Sequence, residues 1–429
     1  MIAHSKLNSF ELLPTELLDT IFDYPRQDIT SLKACSLVCH TLRSACQAHI
    51  FHTASLEFFV FNTGTGPVSS HRQFLDVVSA SPYLASLVRE LRFTRPRNAG
   101  PVLLRTSEEE RAVHQGVVAQ ILAALPQLRA LVIRTPSGSL MWRRLSVVLT
   151  TALSEVVQLP TLRRLDLGIT WEAPSSFFKS LTNLQVLRFA ELNIPLGPKM
   201  EILTTAGPID RPSHTHVEHG YLQSLSILSD MTFPCIDALF LCPSHPLDIT
   251  HLRSLTLAFI TDEFIVRRLL EACGKSLFTF RIHVQQRGDS PSHEEDIGLQ
   301  YLQNVTSLTL SSSMAFTRSC ESFAIRWLTA AMNTLPSLGH LEKLTIIFEI
   351  SYIQDILIWE EATWSTLDSL LVHVSDLRSV HLLFHLRSSI DLTAESERLS
   401  MLVRERAVQL ADSGLLKIRT ISKLPSYFL

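Results

Sequence analysis

The chain has 429 residues, with 38 Lys+Arg against 41 Asp+Glu, a formal net charge of −3, 46% hydrophobic residues and 18% charged ones. A charge fraction this far below the roughly 25% of an average globular protein points to a large core, and it excludes wholesale disorder, which needs low hydrophobicity and high net charge. The near-cancellation of the two signs excludes nucleic-acid binding driven by bulk charge.

Residues from about 8 to 55 read as a compact helical unit. Leu13-Pro14-Thr15-Glu16 opens a helix, since proline suits a first turn whose N–H has no intrahelical partner. Leu17, Leu18, Ile21 and Phe22 recur at helical spacing, and Tyr24-Pro25 ends the run because the residue before proline avoids the helical region. Asp28-Ile29-Thr30-Ser31 supplies a second start with good capping residues. In LKACSLVCHTLRSACQAHIF, Leu32, Cys35, Cys39, Leu42 and Cys46 form one apolar stripe and Ala34, Leu37, Val38 and Ala45 a second. One surface helix needs only one such stripe. The excess is expected to cover either the rest of the chain or another protein.

The next 56–110 reads as a connecting strand, a helix and a degenerate first repeat, Leu87-Leu91-Phe93. From there a template L-x-x-L-x-L recurs. It appears as Leu128-Leu131-Ile133, Leu162-Leu165-Leu167, Leu184-Leu187-Phe189, Leu222-Leu225-Ile227 and Leu252-Leu255-Leu257. It continues as Leu277-Phe280-Ile282, Val305-Leu308-Leu310, Leu341-Leu344-Ile346 and Leu367-Leu370-Val372. Ile236-Leu239-Leu241 also fits but falls too close to its neighbours and reads as a helix end. Each copy predicts a short strand with alternate residues inward. Apolar helical stretches, VHQGVVAQILAAL and LSVVLTTALSEVVQL, lie between copies. One strand and one return helix cannot bury an apolar face alone, whereas stacked copies build a continuous core. The expected fold is therefore an α/β repeat: a three-helix-like unit, then an irregular leucine-rich-repeat-like solenoid of strand–helix units over 111–390. The Asn or Cys usual after the template is mostly missing. Residues 391–429 read as a capping helix, marked by Leu399, Leu402, Val403 and Leu410 and stopped at Asp412-Ser413-Gly414, plus a last strand LLKIRTI. Arg95 to Glu110, Pro195 to Gly220 and Gln285 to Asp296 read as loops.

The N-terminal pattern LLPTELLDTIFDY…SLKACSLVCHTLRSACQAHIF resembles an F-box, and "LKACSLVC" is especially like the F-box proteins of mushroom-forming fungi. Leu13-Pro14, Glu16-Leu17-Leu18, Ile21, Leu32, Leu37-Val38-Cys39 and Ile50-Phe51 carry the match. The chain departs from the family at Leu42, where Trp is often found, and at Pro25, where an aliphatic residue is usual. The resemblance covers about 45 residues strongly, and the body resembles the same group more loosely. It implies a helical face, Leu13, Pro14, Leu17, Leu18, Ile21, Leu32, Leu37, Val38, Cys39 and Leu42, that docks a Skp-type adaptor and through it a cullin–RING ubiquitin ligase.

Three patterns could suggest other chemistry. His214-Thr-His216-Val-Glu218-His219 has zinc-like spacing, but TTAGPIDRPS precedes it where that motif needs a buried strand, and a polar loop is the plainer reading. Gly64-Thr-Gly66 lacks a third glycine, with Ser69 in its place, so it reads as an ordinary strand-to-helix loop. Cys35, Cys39 and Cys46 lie on an apolar stripe, where a reduced thiol behaves as a small hydrophobe, and His40 and His49 beside them add no paired C-x-x-C spacing. Seven cysteines, spread thinly apart from these three, fit reduced thiols in a cytoplasmic or nuclear protein. The opening MIAHSKLNSFELLP carries no secretory signal, and no run of about 18 strongly apolar residues predicts a membrane span. The sequon Asn304-Val305-Thr306 reads as chance. No metal and no cofactor is expected.

In a solenoid of this kind the inter-leucine strand residues face the open side: Asp166, Arg188, Ser226, Thr256, Arg281, Thr309 and Thr345. As a set they read as mixed polar with no dominant sign, which favours a protein or peptide partner over a polyanion. Two functions compete. One is a ubiquitin-ligase substrate receptor, non-catalytic itself, with an unknown protein substrate on the solenoid. The other is a repeat scaffold whose F-box-like unit recruits no ligase. The discriminating feature is whether Leu13, Pro14, Leu17, Leu37 and Val38 face solvent or the body. A third reading, metal-dependent hydrolysis at His214, would require zinc.

Overall fold

The computed structural model describes residues 13–23, 28–57, 66–94, 108–134, 145–170, 180–191 except 182, 221–228, 247–260, 263–285, 298–313, 340–350, 361–386 except 373 and 375, and 392–421, with isolated positions at 142, 177, 240, 328, 331 and 333. The chain divides into two compact units, Met1–Ala173 and Pro174–Leu429.

The first unit begins with three helices, α1 (Thr15–Asp23), α2 (Ile29–Ser36) and α3 (His40–His52). The carbonyl of Pro14 accepts the N–H of Leu17 at 3.0 Å and of Leu18 at 3.2 Å, which starts α1. The Asp28 carboxylate accepts the N–H groups of Thr30 and Ser31 and caps α2. The Ser31 hydroxyl also donates to it and holds its pKa below the ordinary carboxylate value. The two stripes expected along 32–46 do not lie on one helix. Leu37 and Val38 turn out of α2, and Cys39 is extended ahead of α3. Leu18, Phe22, Leu32, Leu42, Ala45 and Cys46 close a small core of their own, with Leu13, Cys35, Cys39 and Ile50 packed against it. Ala45 thus belongs to the inner stripe rather than to the second one.

Then follow β1 (Thr53–Glu57), α4 (Gly66–Ala80), α5 (Pro82–Leu87), β2 (Glu90–Thr94), α6 (Glu108–Ala123), β3 (Ala130–Arg134), α7 (Val147–Val157) and β4 (Arg164–Thr170). The strands β1 to β4 pair in chain order, all parallel. Residue 55, the end of the expected helical unit, lies inside β1, whose lone leucine (Leu56) matches no template. The loop expected up to Glu110 gives way to the first turn of α6. Inward residues alternate as a half-buried strand requires: Leu91 and Phe93, Leu131 and Ile133, Leu165 and Leu167 are all buried. Val117, Val118, Ile121 and Leu122 on α6 and Leu149, Leu153, Val156 and Val157 on α7 are buried as fully. The buried Gln115 on α6 accepts the N–H of Ser146, whose hydroxyl caps α7 by accepting from Leu149.

The second unit holds β5 (Val186–Glu191), β6 (Ser224–Ile227), β7 (Ser254–Ile260), α8 (Glu263–Cys273), β8 (Thr279–Gln285), β9 (Ser307–Ser313), β10 (Lys343–Ile350), α9 (Glu361–Val372), β11 (Ser379–Leu386), α10 (Leu392–Arg406), α11 (Val408–Asp412) and β12 (Leu416–Ile421). These eight strands also pair consecutively and in parallel. Both units are therefore α/β, with parallel strands in sequence order.

One backbone device recurs through both units. The carbonyl just before a strand accepts two N–H groups at the start of the next strand. Arg89 accepts from Arg129 and Ala130 at 2.7 and 3.0 Å, Gln223 from Arg253 and Ser254 at 2.9 and 3.0 Å, and Thr306 from Glu342 and Lys343 at 3.0 Å each. Arg129, Gln185, Arg253, Phe278 and Glu342 do the same. The first leucine of the template closes a tight turn into each rung: the N–H of Leu128, Leu162, Leu252 and Leu277 bonds a carbonyl three residues back. Polar side chains reinforce the rungs, Thr161 donating to the Leu128 carbonyl and Ser276 to that of Leu252.

One expected copy is wrong. Leu367-Leu370-Val372 lies in α9, not in a strand. Trp364, Leu367 and Leu371 are its buried apolar side chains among the described residues, and this is helical spacing that shares a three-residue step with the template. The strand of that repeat is β11, fed by Leu377-Val380-Leu382, all buried. The C-terminal helical segment is broken at Ala407 into α10 and α11. Leu399, Val403 and Leu410 are buried, Leu402 is half-buried, and Gly414 takes the left-handed conformation (φ 72°) that ends α11. The Asp368 carboxylate of α9 accepts the N–H groups of Gln409 and Leu410 at 2.9 and 2.8 Å, capping α11 from another helix. Gly274, between α8 and β8, has no room for a side chain, since a Cβ there would stand 2.6 Å from the Tyr301 carbonyl oxygen.

The His214, His216 and His219 loop and the copy Ile236-Leu239-Leu241 lie outside the described residues, apart from Phe240. So do Gly64 and the loops 195–220 and 286–296. Among the described residues no helix is long and apolar enough to cross a membrane.

Candidate partner-binding surfaces

Two surfaces of the molecule offer groups to a partner. The first is on the three-helix unit. On α1, Leu18 and Phe22 turn inward to the small core, which leaves Leu17 and Ile21, four apart on one face, 50% and 52% exposed. At the α2–α3 turn, Leu37 is 80% and Val38 65% exposed. Pro14 is exposed and Leu13 half-buried. Of the residues expected to dock an adaptor, Pro14, Leu17, Ile21, Leu37 and Val38 thus face outward, with Leu13 and Cys39 at the margin. Leu18, Leu32 and Leu42 are corrected to core: they are the groups that hold the three helices together and have no surface to offer. The sequence reading missed Ile29, which is 52% exposed just after the Asp28 cap. The spacing that marks a helix cannot say which of two adjacent leucines turns inward, and only the packing of three helices does.

The thiol of Cys46 is pushed up to about 11 by burial, reinforced by Cys35 and Cys39. Burial likewise pushes Cys273 up to about 12. Both behave as small apolar groups, as the sequence suggested for Cys46. The described cysteines, Cys35, Cys39, Cys46 and Cys273, are free thiols, and no described group of His, Cys, Asp and Glu is arranged to hold a metal ion.

The second surface is the sheet face opposite the leucines. Register sets it out in rows. In the first unit the inter-leucine row is Ser55, Arg92, Val132 and Asp166. Here the charges are paired. The Arg92 guanidinium donates to Glu90 at 2.9 Å, and Arg164 lies 3.6 Å from the fully buried Asp166. Glu90 is held below its ordinary pKa by Arg92 and Arg164 against the opposing effect of burial.

In the second unit the same row runs Arg188, Ser226, Thr256 and Arg281, then Thr309, Thr345, His381 and Lys417. The expectation of an open stripe fails at four positions. Asp166 in the first unit and Thr256, Thr309 and Thr345 in the second are buried. Strands about 4.8 Å apart leave short side chains sunk between longer neighbours. Arg188 and Arg281 are half-buried. The next row is more enclosed still: Leu228, Ala258 and Ile347 form an apolar cluster with Leu383 and Ile421 beside it. In that row the buried His283 ring bonds the Ser311 hydroxyl at 2.8 Å. The exposed part of this face lies on the last strands, at Lys343, Lys417 and Arg419, around the half-buried His381. The expectation of no dominant sign is also corrected for this unit. Across these rows from β6 to β12, every charged side chain is a cation; at their margins Glu342, next to Lys343, is paired with Arg378 at 3.2 Å, and Glu349, further along β10, lies 3.8 Å from His385.

No protein-family model matches the chain, and no curated protein matches it. Among solved structures it is similar to a chain of a structure described as the crystal structure of Rad7 and Elc1 complex in yeast, at 11% identity and a TM-score of 0.39, over 95% of this chain and 93% of that one. A likeness this low bears neither on the function nor on the details of the fold, and what stands is an α/β protein of parallel strands in sequence order with an outward apolar surface at its N-terminal helices.

Proposed function

We propose that the chain is the substrate-recognition subunit of a Skp–cullin–F-box ubiquitin ligase. The three-helix unit is an F-box that docks a Skp-type adaptor, and the strand–helix body is a leucine-rich-repeat-like solenoid that holds a protein substrate. The chain supplies proximity and the ligase the chemistry. One observation carries this reading: the residues that match the family's docking positions, Leu17, Ile21, Leu37 and Val38, stand in solvent although the unit has a closed core of its own. Burying one such side chain fully in a partner's groove is worth up to roughly 1.5–3 kcal/mol, and the four together contribute against the cost of association. A helical unit that merely capped the body would turn them inward.

The test is co-expression with a fungal Skp-type adaptor and size-exclusion chromatography, beside the double variant Pro14→Ala with Leu17→Asp. A one-to-one complex that the variant loses while the body stays folded supports the proposal. Well-folded wild-type protein that elutes alone overturns it in favour of a repeat scaffold that recruits no ligase.

A further inference from the structure

We infer that the outward face of strands β10 to β12 binds an acidic segment of a protein partner, through Lys343, His381, Lys417 and Arg419. The inference deepens the proposed function, because it rests on this face being the substrate side, and it names the chemistry of what is held there.

Register brings the four residues together from three strands. His381 stands directly opposite Lys417, while Lys343 and Arg419 are one step off on the flanking strands, on the same face. Cross-strand neighbours of this kind lie roughly 5–8 Å apart. Lys343, Lys417 and Arg419 are exposed and His381 half-buried. The neighbouring outward groups in these rows are Thr345, Ser379 and Leu383, none of them a carboxylate, and Glu342, which precedes Lys343, is engaged by Arg378 at 3.2 Å. The lowered pKa of His381 follows from its burial and from these same three cations. A chain of net charge −3 has thus gathered like charges where they repel one another, at a cost that an incoming anion relieves. The hydroxyl of the half-buried Ser379 can donate to carboxylate or phosphate oxygens. The aromatic residues of these strands, Phe348 and Phe384, are buried and stack on each other with ring centres 5.3 Å apart. Among the described residues the face therefore offers no aromatic platform of the kind a single-stranded nucleic acid needs, and its chemistry is that of an acidic or phosphorylated peptide.

Fluorescence anisotropy on the full chain decides the matter. The probes are a labelled peptide with a run of Glu and Asp, the same peptide with Gln and Asn, a phosphoserine version, and an oligothymidine. The expected result is at least about tenfold tighter binding of the acidic or the phosphoserine peptide than of the neutral one, weakened by salt and lost in Lys417→Glu with Arg419→Glu. The preference between the two anionic peptides tells carboxylate from phosphate. Should charge reversal on the edge strand impair folding, Lys343→Gln with His381→Gln is the second variant, expected to weaken binding several-fold. Equal binding of acidic and neutral peptides, undiminished binding by a folded variant, or oligothymidine binding as tight as the best peptide overturns the inference. Adaptor co-elution is scored separately. Failure there with peptide binding intact removes the ligase reading alone, and failure of peptide binding with the adaptor bound removes this inference alone.

Discussion

The helices at the two ends of the chain treat apolar surface in opposite ways. At the C-terminal end Leu399, Val403 and Leu410 are buried, and the carboxylate of Asp368 satisfies the first N–H groups of α11. At the N-terminal end the three helices close a core and still leave Leu17, Ile21, Leu37 and Val38 in solvent. The C-terminal helices hide the apolar row that faces the strands and leave Met401 and Val408, on their other faces, exposed. The N-terminal helices carry more apolar surface than their own closure needs. Burial at one end is structural, and exposure at the other is available for use.

The largest effects are expected from substitution within the N-terminal unit. Leu37→Asp with Val38→Asp is expected to reduce adaptor binding by about a hundredfold while changing stability by no more than about 0.5 kcal/mol. Binding is read by calorimetry and stability by urea unfolding. Leu32→Ala, in the core a few residues away, is expected to cost roughly 2–5 kcal/mol, and a small loss there would mean that the three helices do not close as described. At the other end, Asp368→Ala leaves two N–H groups of α11 without their acceptor and is expected to cost about 1–3 kcal/mol. Hydrogen exchange should show the loss confined to α11 and β12. Gly274→Ala forces a Cβ against the Tyr301 carbonyl and is expected to cost about 1–3 kcal/mol, measurable as a lower melting temperature.

The smallest effect is the most specific. His381 has its pKa lowered from an ordinary value near 6.5 by burial and by Lys343, Lys417 and Arg419. Because the folded state resists its protonation, its contribution to stability is present above the ordinary value and is lost as pH falls through it toward the lower folded value. Lys343→Gln with Lys417→Gln should raise the His381 pKa and shrink that loss. Histidine NMR titration checks both, and an unchanged pKa would mean that the cations do not act on the ring.

Much of the fold was legible because one template does two jobs: its first leucine closes a turn, and its last two point into the core. Hence Leu128, Leu162, Leu252 and Leu277 marked strands correctly. The template misled at Leu367, where a helix shares its three-residue step, and it missed β1, which carries only Leu56. The outward apolar surface of the N-terminal unit was legible as an excess of stripes. That Leu18, Leu32 and Leu42 belong to its core was not, because helical spacing does not orient neighbours. The cationic face could not be read at all: Lys343, His381, Lys417 and Arg419 are far apart in sequence, and only strand register sets them side by side.

The paired-amide rungs have a last consequence. Each joins a carbonyl to two N–H groups of the following repeat and involves no side chain, so its geometry is indifferent to how much chain intervenes. Loops of very different length can therefore separate successive strands without disturbing the stack. Whole strand–helix units can thus be lengthened, trimmed or duplicated with every remaining rung kept, which leaves the length of each stack open to change while the three N-terminal helices stay the same.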